Sequence, residues 1–331
     1  MYGLESAMYT RSNELKYLTF ARFIFKARAL TVLRLPQYKG STFRGGFGHN
    51  LRKTVCINRS KECKGCILCS RCIYTYIFET KPPAGSKTEK SFAYVPHPYV
   101  LIPPDTEKEV FNPDEAFVFE LVLFGRAIEY FPYFLFVFQQ LGENGIGREQ
   151  GSFYIDSVAN ERFGSKIKMY SHATSSLSGE TQVYSSENFF HVYKDIVSLN
   201  PDEITIRFIT PFRLKIDGKL RQDFSFFDFF RTFLNRLYLL TYFHCGNRFD
   251  RDHKELLEMS KEIMITRKNL QWRDWTRYSN RQKTRMKMGG VVGEFVLRGN
   301  LAPFLPFLKI GEFAHVGKAT SMGLGRYEVK V

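Results

Sequence analysis

The 331-residue chain predicts an α+β fold of two units in tandem, because a series of features occurs twice in the same order. Residues 132–155, PYFLFVFQQLGENGIGREQGSFYI, run from an apolar helix-like stretch through a Leu141-Gly142 stop and a Gly/Arg loop into a strand. Residues 303–329, PFLPFLKIGEFAHVGKATSMGLGRYEV, repeat that order with Ile310-Gly311 in place of Leu141-Gly142. Each half also opens on a β-rich run, LTFARFIFKARALTVLRL at 18–35 and ITIRFITPFRLKID at 204–217, that leads through Gly40 or Gly218 towards a helical segment. Strand, helix, strands, helix, glycine loop, strand is a split βαβ order. Tandem ferredoxin-like (RRM-like) βαββαβ domains are therefore expected.

The expected boundaries are 14–160 for the N-terminal domain, with a cysteine-rich insertion at 56–72, then 161–203 as a Ser/Asn/Gly-rich linker or insertion, then 204–331. At about 150 residues per domain the length suits two cores. An apolar content of 44% excludes a mainly disordered chain. The most apolar stretches, 127–138 and 224–243, carry Glu129, Asp228, Arg231 and Arg236, and so read as buried helices rather than membrane spans. The opening MYGLESAMYTRSN lacks a signal-peptide pattern, so a cytoplasmic protein with no membrane partner is expected.

Five of the six cysteines, Cys56, Cys63, Cys66, Cys69 and Cys72, fall within seventeen residues. Such clustering without a signal peptide points to metal rather than disulfides. Cys63-x-x-Cys66 has zinc-knuckle spacing, and Cys56 and Cys72 complete a tetrahedral thiolate set, so a structural zinc is expected. An iron–sulfur cluster is disfavoured, because the bacterial run has three spacer residues before its last cysteine and a proline after it; here two residues precede Cys72 and Ile73 follows. Unmetallated thiols are the remaining alternative.

Lys and Arg number 48 against 33 Asp and Glu, and this excess of +15 points to a polyanionic partner. Residues 271–290 gather Arg273, Arg277, Arg281, Lys283, Arg285 and Lys287 around Trp272, Trp275 and Tyr278. Cations among aromatics suit single-stranded nucleic acid, although the tryptophans are expected first as core anchors. The loop GEFAHVGKATSMGLGRY at 311–327 offers glycine backbone together with Lys318 and Arg326, a setting for phosphate. It is not a nucleoside-triphosphate loop, since Glu312 and Ala319 break the GxxxxGK[ST] pattern.

Over 204–331 the chain resembles the CRISPR precursor-RNA-processing endoribonucleases of the RAMP superfamily, through PFRLK at 211–215, FFRTFLNRLYLLTYFHCG at 229–246, WRDWTRYSNRQKTRMKMGGVVGEF at 272–295 and HVGKATSMGLGRYEV at 315–329. GSTFRGGFGHNLRKTVC at 40–56, PHPYVL at 96–101 and LFGRAIEYFPYF at 123–134 extend the resemblance more weakly over 38–160. The resemblance implies cleavage within CRISPR repeats by the RNA's own 2′-OH, with no catalytic cofactor, leaving a cyclic phosphate and a 5′-OH. It also implies repeat RNA or the processed guide as partner, and a CRISPR effector complex as a further one. Such chemistry needs alignment, proton transfer and charge stabilisation.

In this family the catalytic histidine often lies on the first helix, where His49 stands here; Lys53, four residues on, shares its helix face. His49 is thus expected as general acid or base, Lys53 as phosphate stabiliser and Tyr38 as a weaker third. His315, beside the glycine loop, is the rival. It is placed with Arg148, Arg281, Lys283, Arg285, Lys318 and Arg326 among the RNA contacts. His244 is expected to cap a helix end and His97, between prolines, to sit in a rigid turn. A second reading makes the chain a non-catalytic RAMP subunit that only holds guide RNA; a third, a zinc-stabilised nucleic-acid binder unrelated to CRISPR, would make the C-terminal motif set a coincidence.

Overall fold

A computed structural model describes residues 17–58, 63, 65–80, 95–192, 201–246, 253–279 and 284–331. The chain divides into two compact units, Phe20–Val183 and the remainder, which joins the segment ending at Thr19 to Tyr184–Val331.

In the first unit the elements run β1 (Thr19–Ala29), α1 (Gly40–Val55), β2 (Tyr99–Ile102), β3 (Ala116–Phe124), α2 (Phe131–Asn144), β4 (Phe153–Arg162) and β5 (Ser165–Ser171). The sheet order is β2-β3-β1-β4-β5, with every pairing antiparallel. Strand β1 alternates as a half-buried strand must: Phe23, Phe25, Ala27 and Ala29 are fully buried, while Arg22, on the opposite face, reaches Glu120 at 2.8 Å and Glu161 at 3.1 Å. Helices α1 and α2 cover the phenylalanine face. Phe23 stacks on Phe131 with ring centroids 3.9 Å apart, Phe25 on Phe119 at 4.7 Å and Phe47 on Phe134 at 4.8 Å. Each such pair adds about 0.5–1.5 kcal/mol to the burial itself.

The second unit repeats the plan with β6 (Glu203–Phe212), α3 (Phe226–His244), β7 (Met264–Arg273), β8 (Gly290–Arg298), α4 (Leu305–Ala314) and β9 (Tyr327–Lys330), ordered β7-β8-β6-β9 and again antiparallel. Helix α3 starts at a reciprocal Ser225/Asp228 capping box. It is tied to α4 by the buried Arg236, whose Nε donates to the Ala314 carbonyl at 2.9 Å, at the end where a helix leaves its carbonyls unpaired. The two units thus share one strand order, β2-β3-β1-β4 in the first and β7-β8-β6-β9 in the second.

Two local features depart from the sequence reading. Leu141-Gly142 and Ile310-Gly311 do not stop their helices, which continue to Asn144 and Ala314. The glycines instead sit where a helix meets the strand that follows it: a Cβ on Gly142 would strike the Phe153 carbonyl, and one on Gly311 the Tyr327 hydroxyl. The helices end one turn later, at Gly145 and His315, both with positive φ. The stretch 161–203 is also shared out. Strand β5 extends the first sheet, and Asn160 accepts the Gln182 N–H at 2.6 Å, while Tyr184 and Phe189 pack on Phe313 of the second unit at 5.2 and 5.9 Å.

Candidate functional site

Helix α1 carries no acidic residue and has basic Arg52 and Lys53 in its last turn. Its buried side is Phe43, Phe47, Asn50 and Leu51, which leaves His49 and Lys53 exposed one turn apart on the other side. Its glycines make close packing possible. A Cβ on Gly46 would press into Leu141 of α2, and one on Gly48 into the Phe78 ring. Three interior glycines weaken a helix by about 1 kcal/mol each relative to alanine, so tertiary packing holds α1.

The packing partner of Gly48 is a π-helical turn, Thr75–Glu79. Tyr74 and Phe78 stack at 5.4 Å; the Arg52 guanidinium lies 5.6 Å from the Tyr74 ring centre, and that of Arg44 lies 4.2 Å from Phe78. Arg44 Nη2 also meets His97 Nε2 at 3.0 Å; since an arginine only donates, His97 accepts there and its Nδ1 faces the Thr80 hydroxyl. His97 therefore belongs to a side-chain network on the flank of α1 rather than to a bare proline turn. This network escaped the sequence reading because its members come from residues 44–52, 74–80 and 97. Two spacings could have suggested it: Arg44-x-x-x-Gly48-x-x-x-Arg52 puts a gap between two cations on one helix face, and Tyr74-x-x-x-Phe78 puts two rings on another.

Tyr38 lies just before α1 and is half-buried; burial pushes its phenol well above the ordinary value, so it is a proton holder at neutral pH. Arg148 is exposed in the loop after α2, where Gly145 and Gly147 take positive φ and the Arg34–Glu149 pair closes at 3.1 Å.

The C-terminal glycine loop differs from its expected use. The backbone N–H of Val316 donates to Gly325, that of Lys318 to Arg213, that of Gly325 to Pro211, and that of Arg326 to the Thr210 hydroxyl. Gly317 and Gly325 take positive φ, and a Cβ on either would strike a backbone carbonyl, Arg213 or Val316. These glycines serve to seat the loop on the end of β6, and several of the N–H groups expected to cradle phosphate are spent inside it. His315 is fully buried within the loop, with Nδ1 3.2 Å from the Leu324 carbonyl; burial, and secondarily Arg326 and Arg236, pushes its pKa down to about 3. A ring so enclosed does not meet RNA at the loop surface, which corrects the placement of His315 among the contacts. Lys318 does emerge, and burial of its stem together with the nearby Lys215 holds its pKa down. A lysine held beside a second cation is a setting that an anion relieves. Arg326 is half-buried at the same loop, and Arg213 Nη1 is committed to the Gly289 carbonyl at 2.6 Å.

Trp272 and Trp275 are half-buried, and Trp272 Nε1 donates to Asp274 at 2.9 Å. Arg285 pairs with Tyr278 across the hairpin Thr276–Ser279/Thr284–Lys287, while Arg281 and Lys283 lie outside the described residues.

The described geometry does not support the expected zinc. Among the described residues no three of Cys, His, Asp and Glu come together as a metal-binding group. Cys63 and Cys72 lie against the hydrophobic core, Cys56 closes the end of α1, and Cys66 faces the Asn58 amide at 4.0 Å. Cys56, Cys63, Cys66 and Cys72 are thus not gathered into a tetrahedral thiolate set among the described residues.

Comparison with known proteins places both units. A family model described as an N-terminal domain matches residues 18–182, and the model of the CRISPR-associated endoribonuclease Cas6 matches residues 206–327. The C-terminal unit is therefore similar to the Cas6 family over most of its length. The whole chain aligns with a partial Cas6-RT-Cas1–Cas2 complex at TM-score 0.60 and 13% identity, over 95% of this chain and 46% of that one. It aligns with a Cas6 product complex at TM-score 0.54 and 14% identity, over 94% and 100%, and with Thermus thermophilus Cas6 at 0.50 and 13%, over 95% and 99%. At such identities these likenesses establish the fold, a mixed α/β architecture of antiparallel sheets. An uncharacterized protein of Archaeoglobus fulgidus is 26% identical over 133 residues, 40% of this chain and 44% of that relative. Among the described residues no helix is long and apolar enough to cross a membrane.

Proposed function

We propose that this protein is an endoribonuclease that processes CRISPR precursor RNA within its repeats. The observation that carries the reading is the Cas6 match over residues 206–327, joined to a tandem of ferredoxin-like units. The RNA's 2′-OH attacks the adjacent phosphorus; the O2′–P bond forms, the P–O5′ bond breaks, and the products end in a 2′,3′-cyclic phosphate and a 5′-OH. The proton leaving the 2′-OH and the one gained by the 5′ oxygen need a group that exchanges near pH 7, and His49 is exposed for that work on an acid-free helix. Lys53 stands one turn away to offset the developing phosphorane charge. Tyr38, kept protonated by burial, is suited to donating a hydrogen bond rather than to accepting a proton. No metal is assigned a step, because nucleophile, proton carrier and charge are supplied by the RNA, His49 and Lys53. Lys318 and Arg326, with Arg148 and the basic segment containing Arg281, Lys283 and Arg285, supply phosphate contacts.

His49→Ala tests the assignment. Cleavage of repeat RNA should slow by about a hundredfold or more while affinity in a filter-binding assay stays near that of the wild type. Wild-type cleavage by the variant would remove His49 from the mechanism.

A further inference from the structure

Gly45 sits inside α1 with neither of the usual reasons for a glycine. Its backbone is ordinary helix, and a Cβ built on it would meet no atom of the described residues within 4 Å, whereas Gly46 and Gly48 are required by Leu141 and Phe78. Glycine is the poorest helix former after proline, so an alanine here would hold α1 better at no steric cost within the protein. The surroundings suggest what the vacant volume is for. Positions 45, 48, 49 and 52 share one helix face, so Gly45 lies one turn before His49 and two before Arg52. That face is acid-free, and its cations are fixed in direction: Arg52 against the Tyr74 ring at 5.6 Å, and Arg44, next to Gly45, against Phe78 at 4.2 Å with His97 3.0 Å from its Nη2. A guanidinium already held near a ring loses less freedom when it grips a phosphate.

We infer that the RNA backbone crosses α1 at Gly45, where the missing side chain lets a ribose–phosphate unit lie directly on the helix beside His49, with Arg44 and Arg52 holding the flanking phosphates. This rests on the reading of α1 as the reactive face and adds to it the position that admits the substrate. Gly45 is thus a positioning residue: it sets how near the scissile linkage comes to the imidazole.

The test is to compare the protein with Gly45→Ala and Gly45→Gln, measuring thermal midpoint and kcat/KM on a CRISPR repeat RNA that the wild type cleaves. Both variants should melt a few degrees higher, as better helix formers. Both should cleave more slowly, by about tenfold for alanine and about a hundredfold for glutamine, as the backbone is lifted from the helix. Stability and activity moving in opposite directions is the signature; variants that are more stable and cleave like the wild type overturn the inference. His49→Ala, run alongside, separates the two claims. If it is inactive and Gly45→Gln is normal, the clearance role fails alone; if it cleaves normally while Gly45→Gln loses affinity, RNA crosses α1 and the catalytic assignment fails instead. Hydrogen exchange on the wild type keeps the inference testable should either variant fold badly: residues 40–55 should be protected by 2′-O-methyl repeat RNA, and absence of protection would overturn it.

Discussion

His49 and His315 carry the same side chain in opposite surroundings. His49 is exposed on α1, whereas His315 is fully buried, with its pKa pushed down to about 3. That depression links loop stability to acid. The unfolded chain takes up this proton near 6.5 and the folded chain only near 3, so between those values the unfolded state binds more protons and stability falls as pH drops. His315→Asn, which removes the buried imidazole, should lower the melting midpoint near pH 7 and flatten its loss between those pH values. An unchanged acid slope would mean that another group carries it. Sequence alone ranked these histidines by motif, and for His315 the glycines around it suggested access. Burial decided otherwise, because those glycines fold the loop onto β6 instead of opening it.

At the scale of elements, the repeated Leu-Gly and Ile-Gly pairs were legible as a repeat but not for the right reason. Gly142 and Gly311 mark the same contact in the two units, a helix seated on the strand that follows it. Gly311→Ala should cost about 1–3 kcal/mol by overpacking against Tyr327, whose hydroxyl donates to Leu308 at 2.8 Å, and thermal melting would detect it. A neutral result would mean that Tyr327 yields freely. The two long strands β1 and β6 and helix α2 follow from periodicity in the sequence, since each buries one face, whereas α4 is apolar and buried nearly all round. The zinc read from the cysteine spacing gained no support, because spacing along the chain does not by itself bring sulfurs together. The glycine loop keeps one expected role through its side chains. Replacing Lys318 and Arg326 together with alanine should weaken RNA binding without moving the cut and should lower the salt dependence by about 0.7 in log–log slope for each phosphate no longer neutralised. Unchanged affinity and slope would place the RNA elsewhere.

Over the whole molecule, the order strand, helix, strands, helix, strand was readable twice from hydrophobic patterning, and the sheet order β2-β3-β1-β4 recurs as β7-β8-β6-β9. The flank of α1 was not readable, because Arg44, Phe78 and His97 meet only through the fold. Neither was Gly45, since an unfilled position can be distinguished from a packed one only when the neighbours are in place. The excess of positive charge and the Cas6 match over 206–327 point the same way, towards an RNA substrate. The central claim is that the substrate's own 2′-OH is the nucleophile, with His49 and Lys53 assisting. It is tested most directly by incubating the protein in chelator with end-labelled repeat RNA, beside RNAs carrying single 2′-deoxy substitutions. The account predicts one cut, retained in chelator and abolished by one deoxy substitution, with a cyclic phosphate on the upstream fragment; cutting that survives every deoxy substitution, or tight binding without any cut, would contradict it.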